Sequence, residues 1–340
     1  MQELQNVLDH YNINNVLKTE TIKNGNICNI FKIDTINSDY ILRIRPKNFI
    51  ESNIEKDHEF LNYLSDNLFF SPKVIKTKND KSYVKNKEGL IAELHSYIPH
   101  NKTIDDFEYQ EISNQLAITL GNYHKISSKF PKEINKKNKT ENLPTDFWTK
   151  YFDGPLKIGI QRYYKAANSE NVEKNDVIII YTNYLKDILE KIKIKLEKNL
   201  YKIPKLINHN DFYGNNILFL NNKINGIVDF DFCCTGIHYI DLVELIHGSL
   251  IWNNEHMKYW GLDPEGKIRI NHSKNDLRLY FSKYSNYNFD FSLFKDFIVA
   301  KIISLAFNPN FDFVEEIDDR IEVLFRLKKT IQNINDSSLI

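Results

Sequence analysis

Apolar residues repeat with two different periods along this chain, and the change falls near residue 100. "VLKTETIKNGNICNIFKIDTINSDYILRIRP" (16–46) alternates in short runs, with turn signals at Asn24-Gly25 and near Asn37-Ser38, which predicts a three-strand meander. "FIESNIEKDHEFLNYLSDN" then places Ile54, His58, Leu61 and Leu64 at helical spacing. "KSYVKNKE" and "GLIAELHSYI" are predicted as two further strands, and residues 1–12 as a short helix. From Ile104 onward the period lengthens. "DFEYQEISNQLAITLGNYHKIS" and "DVIIIYTNYLKDILEKIKIKLEKN" are predicted as long amphipathic helices separated by a Lys/Asn-rich loop at 130–145. One interruption follows: a polar loop, "INHNDFYGNNILF" (207–219), leads into a hairpin, "ILFLNNKINGIVDFDF", before residues 240–335 become helical again. The expectation is an α+β fold with two parts. Residues 1–98 form a small antiparallel-sheet N-lobe with one helix, and 99–340 a larger, mainly helical C-lobe.

A length of 340 residues fits two lobes rather than one small core. Lys and Arg balance Asp and Glu at 45 each, so no bulk field favours nucleic acid or an anionic membrane. No apolar run approaches the roughly 20 residues of a membrane span. The N-terminal "MQELQNVLDHYNINNVLKTE" lacks the apolar core of a signal peptide, so a reducing cytoplasm is expected. Cys28, Cys233 and Cys234 show neither disulfide nor zinc-ligand spacing. Asn is abundant throughout, which weakens any isolated Asn as a functional signal.

The polar loop contains His209-x-Asp211-x4-Asn216, and Asp229 follows Asn216 by thirteen residues at the end of an apolar strand. This spacing suits transfer of a γ-phosphoryl group. One carboxylate must orient the attacking hydroxyl and accept its proton, a task assigned to Asp211. Oxygen ligands must hold Mg²⁺ on the phosphates, a task assigned to Asn216 and Asp229, which a tight hairpin brings side by side. Asp231 is a candidate second metal ligand or a polar neighbour. His209 is read as a loop support, His124 as structural, and Asp241 as an N-cap or loop brace.

The Asp211-to-Asn216 spacing matches the protein-kinase loop H-R-D-x-x-x-x-N, with Asp229 at the D-F-G position. Tyr213 stands where a basic residue would follow the catalytic Asp, the metal motif reads Asp229-Phe230-Asp231, and no A-P-E follows. The chain therefore resembles the aminoglycoside phosphotransferase and choline kinase superfamily, whose loop reads H-G-D-x-x-x-x-N and whose metal strand reads I-D-F/W-D/E. "GIVDFDFCCTGIHYIDLVELI", with Asp241-Leu242 opening a helix, is most similar to homoserine-kinase-type members; the resemblance covers about residues 18–250. It implies a protein-kinase-like bilobal fold, with nucleotide bound by the N-lobe, and an ATP- (or other NTP-) and Mg²⁺-dependent kinase acting on a small-molecule hydroxyl. An amino alcohol, a sugar and an aminoglycoside-like antibiotic all remain open as acceptor, as does oligomeric state.

By the same resemblance, Arg43 in "SDYILRIRP" takes the place of the phosphate-binding Lys, and Glu59 on the following helix is its partner, with Glu55 as an alternative. Asn24, Gly25 and Asn26 would cover the phosphates, and the backbone of Leu94, His95 and Tyr97 would bond the base. Trp252, Tyr259, Trp260 and Tyr280 are candidates for the acceptor pocket beside a core reading, and the acidic stretch 311–322 could attract a polycation. The rival class is a nucleotide-binding pseudokinase acting through partners, against which the complete Asp211, Asn216 and Asp229 set argues. A protein kinase is disfavoured by Tyr213 and the missing A-P-E.

Overall fold

The computed structural model describes residues 2–13, 15–24, 28–46, 51–67, 69–86, 89–134, 155–166, 172–285, 289–307 and 317–338. The chain divides into two compact units. The first comprises 1–105, 129–143 and 214–233; the second comprises 106–128, 144–213 and 234–340. The chain passes from the second unit back to the first at Gly214, inside the polar loop.

In the first unit α1 (Gln2–Leu8) precedes a sheet built from β1 (Val16–Asn24), β2 (Asn29–Thr35), β3 (Asp39–Arg45), β4 (Val74–Ile75), β5 (Val84–Lys85) and β6 (Ile91–Ser96). The order is β1-β2-β3-β6-β4, with β5 also on β6, and every pairing is antiparallel. Of the predicted strand at 81–88, Val84–Lys85 forms a strand, Asn86 follows it as a turn residue, and 87–88 fall outside the described residues. The Asn86 side-chain oxygen accepts the Leu90 N–H at 2.9 Å, and its own N–H donates to the Leu90 carbonyl.

Side chains alternate across a sheet, so β3 and β6 have two different faces. Ile33, Leu42, Ala92 and Leu94 point one way and pack with Leu8 and Tyr11 into a buried apolar cluster. Arg43, Arg45, Glu93 and His95 occupy the alternate positions, and the register sets Arg43 directly opposite Glu93. The helix α2 (Glu51–Asp66) buries Ile54, Asp57, His58, Phe60, Leu61 and Leu64, and His58 reaches Glu93 at 2.8 Å, so α2 covers the charged face.

A second small sheet in this unit runs β10-β9-β7, from β7 (Lys102–Thr103), β9 (Ile217–Leu220) and β10 (Lys223–Ile227). Asn221 and Asn222 both have positive φ (52° and 61°), as a two-residue hairpin turn of type I′ requires. Gly226 sits at a register shift in β10, where a Cβ would come within 2.6 Å of the Ile98 side chain.

The second unit holds the helices α3 (Tyr109–Ser127), α4 (Pro155–Ala166), α5 (Val172–Glu197), α6 (Tyr239–Leu250), α7 (Ile270–Lys283), α8 (Phe291–Ala306) and α9 (Ile317–Asp336). It also holds a short antiparallel ladder of β8 (Lys205–Asn208) with β11 (Cys234–Ile237). α6 is buried along almost its whole length and packs with α3, α7 and α8. Gly121 lets α3 approach α7: a Cβ there would lie 2.7 Å from the Tyr280 carbonyl oxygen. Among the described residues, no helix is long and apolar enough to cross a membrane.

Leu42 is fully buried where the sheet meets α1. Leu42→Ala is expected to lower the unfolding free energy by about 2–5 kcal/mol in urea titrations. A loss below about 0.5 kcal/mol, the size of a surface change, would mean that this cluster is not the core of the first unit.

Candidate active site

The β9–β10 hairpin closes with Ile217 opposite Ile227, and the Val228 N–H donates to the Asn216 carbonyl at 2.9 Å. Asn216 and Asp229 therefore stand together at the open end of the hairpin. Asp229 adopts a left-handed backbone (φ 63°), which turns the chain out of the strand and is tolerated by Asp better than by most side chains. Its side chain is 39% exposed. Phe230 instead turns into the core and meets Phe60 of α2 edge-on at 6.4 Å. An amide and a carboxylate at one hairpin end are hard oxygen donors, a set that fits Mg²⁺.

Next to this turn lies a buried group of alternating charges. The Arg45 Nη1 and Nη2 donate to Asp231 at 2.9 and 2.7 Å, and its Nε donates to Glu93 at 2.9 Å. Arg43 donates to Asp231 at 2.7 Å and lies 3.3 Å from Glu93 and 3.5 Å from Asp229. Burial alone would raise the Glu93 pKa, but Arg45, Arg43 and the His58 hydrogen bond outweigh it and hold the carboxyl well below its ordinary range. Burial pushes His95 down, toward its neutral form.

The catalytic-loop candidate belongs to the second unit. β8 ends at Asn208, whose side-chain N–H donates to the Ile237 carbonyl at 2.9 Å and ties the loop's start to β11. The Asp241 carboxylate accepts the backbone N–H groups of His209 and Asn210, each at 2.8 Å. The same carboxylate lies 3.1 Å from His124 Nε2, and His124 Nδ1 lies 2.7 Å from the Tyr280 hydroxyl. Asp241, the third residue of α6, is thus a loop brace and not an N-cap. With Asn210 in left-handed backbone (φ 63°), the brace fixes the chain immediately before the half-buried Asp211.

The structure groups Asn216, Asp229 and Arg43 within the first unit, and Asp211 sits on the braced loop of the second. Glu59 is placed elsewhere. It lies on the outer face of α2, 47% exposed, and binds Lys132, while among the described residues Arg43 takes its carboxylates from Glu93, Asp229 and Asp231. Glu55 also faces outward, near Tyr83. The buried acid of α2 is Asp57, three residues after Ile54 and four before Leu61, and Cys233 Sγ lies 3.5 Å from it.

Leu94 and His95 lie inside β6 with β3 on one side and β4 on the other, and the Tyr97 N–H donates to the Asp39 carbonyl at 3.1 Å. Asn24 ends β1 opposite Asn29; Gly25 and Asn26 fall outside the described residues, as do 311–316 of the acidic stretch. Tyr280 and Trp260 are buried in the core, the Tyr259 ring stacks under Arg326 at 4.0 Å, and Trp252 donates to Asn254. Sequence reasoning overlooked Arg45 and Glu93. Their signal was present as polar side chains at alternate positions of two strands, Arg43 and Arg45 in one and Glu93 and His95 in the other.

The sequence profile of the phosphotransferase enzyme family matches residues 18–265. The chain belongs to this family. No curated protein sequence matches it. Among solved structures, an amicoumacin kinase bound to AMP-PNP and Ca²⁺ superposes with a TM-score of 0.60 at 14% identity, covering 99% of this chain and 93% of that one. An aminoglycoside phosphotransferase from Alicyclobacillus acidocaldarius gives 0.61 at 10% identity, covering 97% and 95%. A choline kinase from Cryptosporidium parvum gives 0.52 at 15% identity, covering 98% and 96%. At such identities the likeness concerns fold: α+β and protein-kinase-like, with an antiparallel sheet in the N-terminal region and a helical C-terminal region. As a member of this family, the protein is a phosphotransferase.

The depressed Glu93 pKa has a definite sign. A carboxyl held low in the folded state stabilises above its ordinary value of 4.5 and loses that contribution as pH falls below it. The unfolding free energy is expected to decline as pH drops below about 5, with Glu93→Gln less stable at pH 7 but showing a flatter acid limb. Equal acid slopes for both proteins in chemical unfolding would contradict the ion pairing.

Proposed function

We propose that the protein transfers the γ-phosphoryl group of ATP, or another nucleoside triphosphate, to a hydroxyl of a small molecule. An amino alcohol, a sugar and an aminoglycoside-like compound are the acceptor classes of this reading. The observation that supports it is the hairpin end, where the strand register sets Asn216 beside Asp229 and the Arg43 guanidinium lies 3.5 Å from Asp229.

Asp211 orients the acceptor hydroxyl and takes up its proton as its oxygen bonds to the γ-phosphorus and the bond from that phosphorus to the β–γ bridging oxygen breaks, releasing the nucleoside diphosphate. The two backbone N–H groups gripped by Asp241 keep that loop in one conformation, so the base is positioned before the acceptor arrives. Asn216 and Asp229 would hold Mg²⁺, which supplies charge neutralisation on the phosphate oxygens when bound. Arg43 binds the phosphate tail with a planar guanidinium suited to two oxygens at once. Asn24, Gly25 and Asn26 would cover the phosphates, as the family resemblance implies. With Leu94 and His95 already paired on both sides, contacts to the base would fall to the Tyr97 end of that segment.

Asp211→Asn is expected to lower phosphoryl transfer about 10²–10⁴-fold while nucleotide affinity stays within about twofold. The measurement is ³¹P NMR of ATP and Mg²⁺ with a panel of amino alcohols, sugars and aminoglycosides, beside calorimetric titration of the nucleotide. Full turnover by this variant would contradict the assignment of the base.

A further inference from the structure

The two carboxylates of Asp229-Phe230-Asp231 are treated differently by the fold. Asp229 is 39% exposed and its nearest guanidinium nitrogen, on Arg43, is 3.5 Å away. The Asp231 side chain is 9% exposed, and both its oxygens accept short hydrogen bonds, from Arg45 at 2.7 and 2.9 Å and from Arg43 at 2.7 Å. Binding a dication through Asp231 would break a forked pair and leave a guanidinium that is only 3% exposed with Glu93 as its remaining counter-charge, one already shared with Arg43. We propose that Arg45 and Asp231 form a positioning pair, in which Asp231 anchors the turn after Asp229 without ligating metal, and that Glu93 is the carboxylate that orients Arg43 toward the nucleotide phosphates. This rests on the phosphotransfer reading.

Strand geometry explains why a sheet residue takes the orienting role. Glu93 stands directly opposite Arg43 across the β3–β6 ladder, and its carboxylate also accepts from Arg45. Its other oxygen faces His58 of α2 at 2.8 Å, so helix and sheet meet at one carboxylate. His58, Glu93 and His95 have ligand atoms within 4.8 Å of one another, donor types that elsewhere bind zinc. Here both Glu93 oxygens are engaged, and a dication would sit beside two guanidiniums. The His58–Glu93–His95 group is therefore support for Arg43 and Arg45 and not a metal centre.

The test combines Mn²⁺ titration in the presence of AMP-PNP, read by electron paramagnetic resonance, with steady-state kinetics. Asp231→Asn is expected to keep the wild-type number of Mn²⁺ ions per AMP-PNP complex while kcat falls about 10–100-fold through misplacement of Asp229. Asp229→Asn is expected to lose Mn²⁺. Glu93→Gln is expected to raise KM for ATP about tenfold, the effect of losing a charge-assisted contact on Arg43. Should Asp231→Asn not fold by circular dichroism, Arg45→Lys retains the charge but not the fork, and is expected to show the same unchanged Mn²⁺ number with reduced kcat. Loss of one Mn²⁺ in either of these two variants, or a wild-type KM in Glu93→Gln, overturns the proposal while leaving the phosphotransfer reading intact. Failure of the wild type to bind Mn²⁺ with AMP-PNP would instead sink that reading, and the proposal with it.

Discussion

Arg43 and Glu93 face each other across two central strands, and burying that pair constrains most of what surrounds it. Guanidinium and carboxylate groups withdrawn from water must find partners, because the desolvation penalty is recovered only with close geometry. Arg45, Asp231 and His58 supply those partners from three different segments. A slip of one residue between β3 and β6 would turn the guanidiniums toward the apolar cluster around Leu42 and Leu94, so the charged face also enforces the register. Such a network adds little net stability relative to an apolar core of equal volume, yet losing one member is costly. Its effect is to specify one arrangement of the residues beside Asp229.

The second unit uses the same economy around a single acid. Asp241 accepts two consecutive backbone N–H groups of the polar loop and meets His124, which in turn meets Tyr280. Each loop contains a residue in left-handed backbone, Asn210 in one and Asp229 in the other. Such conformations cost of order 1–3 kcal/mol and persist where the surroundings over-determine them. Here the surroundings are the Asp241 brace in one unit and the hairpin closure with buried Phe230 in the other. Both strained residues sit within one position of an assigned site residue or are one, which ties local strain to positioning.

Much of this was readable from residue order alone. The change of period near residue 100 located the strands and helices, and His209-x-Asp211-x4-Asn216 with Asp229 located the loop and hairpin. What escaped were the partners. Glu59 was expected to brace Arg43, but the helical face that holds Ile54, Leu61 and Leu64 also holds Asp57 and His58, and Glu59 is turned about a third of a turn away. Arg45 and Glu93 were passed over because a charge within a strand looks solvated until the adjacent strand shows the opposite charge at the same phase. In the predicted strand at 81–88, Asn86 follows Val84–Lys85 as a turn residue, a local competition that alternation does not reveal.

Under the proposed phosphotransfer, the hairpin end formed by Asn216 and Asp229 holds the metal, with Asp231 engaged elsewhere. Anomalous diffraction from a crystal grown with AMP-PNP and Mn²⁺ tests it most directly. A Mn²⁺ peak is expected within coordinating distance of the Asn216 and Asp229 side-chain oxygens, with Asp231 still paired to Arg45. Mn²⁺ lodged among His58, Glu93 and His95, or coordinated by Asp231 in place of Asp229, would contradict it.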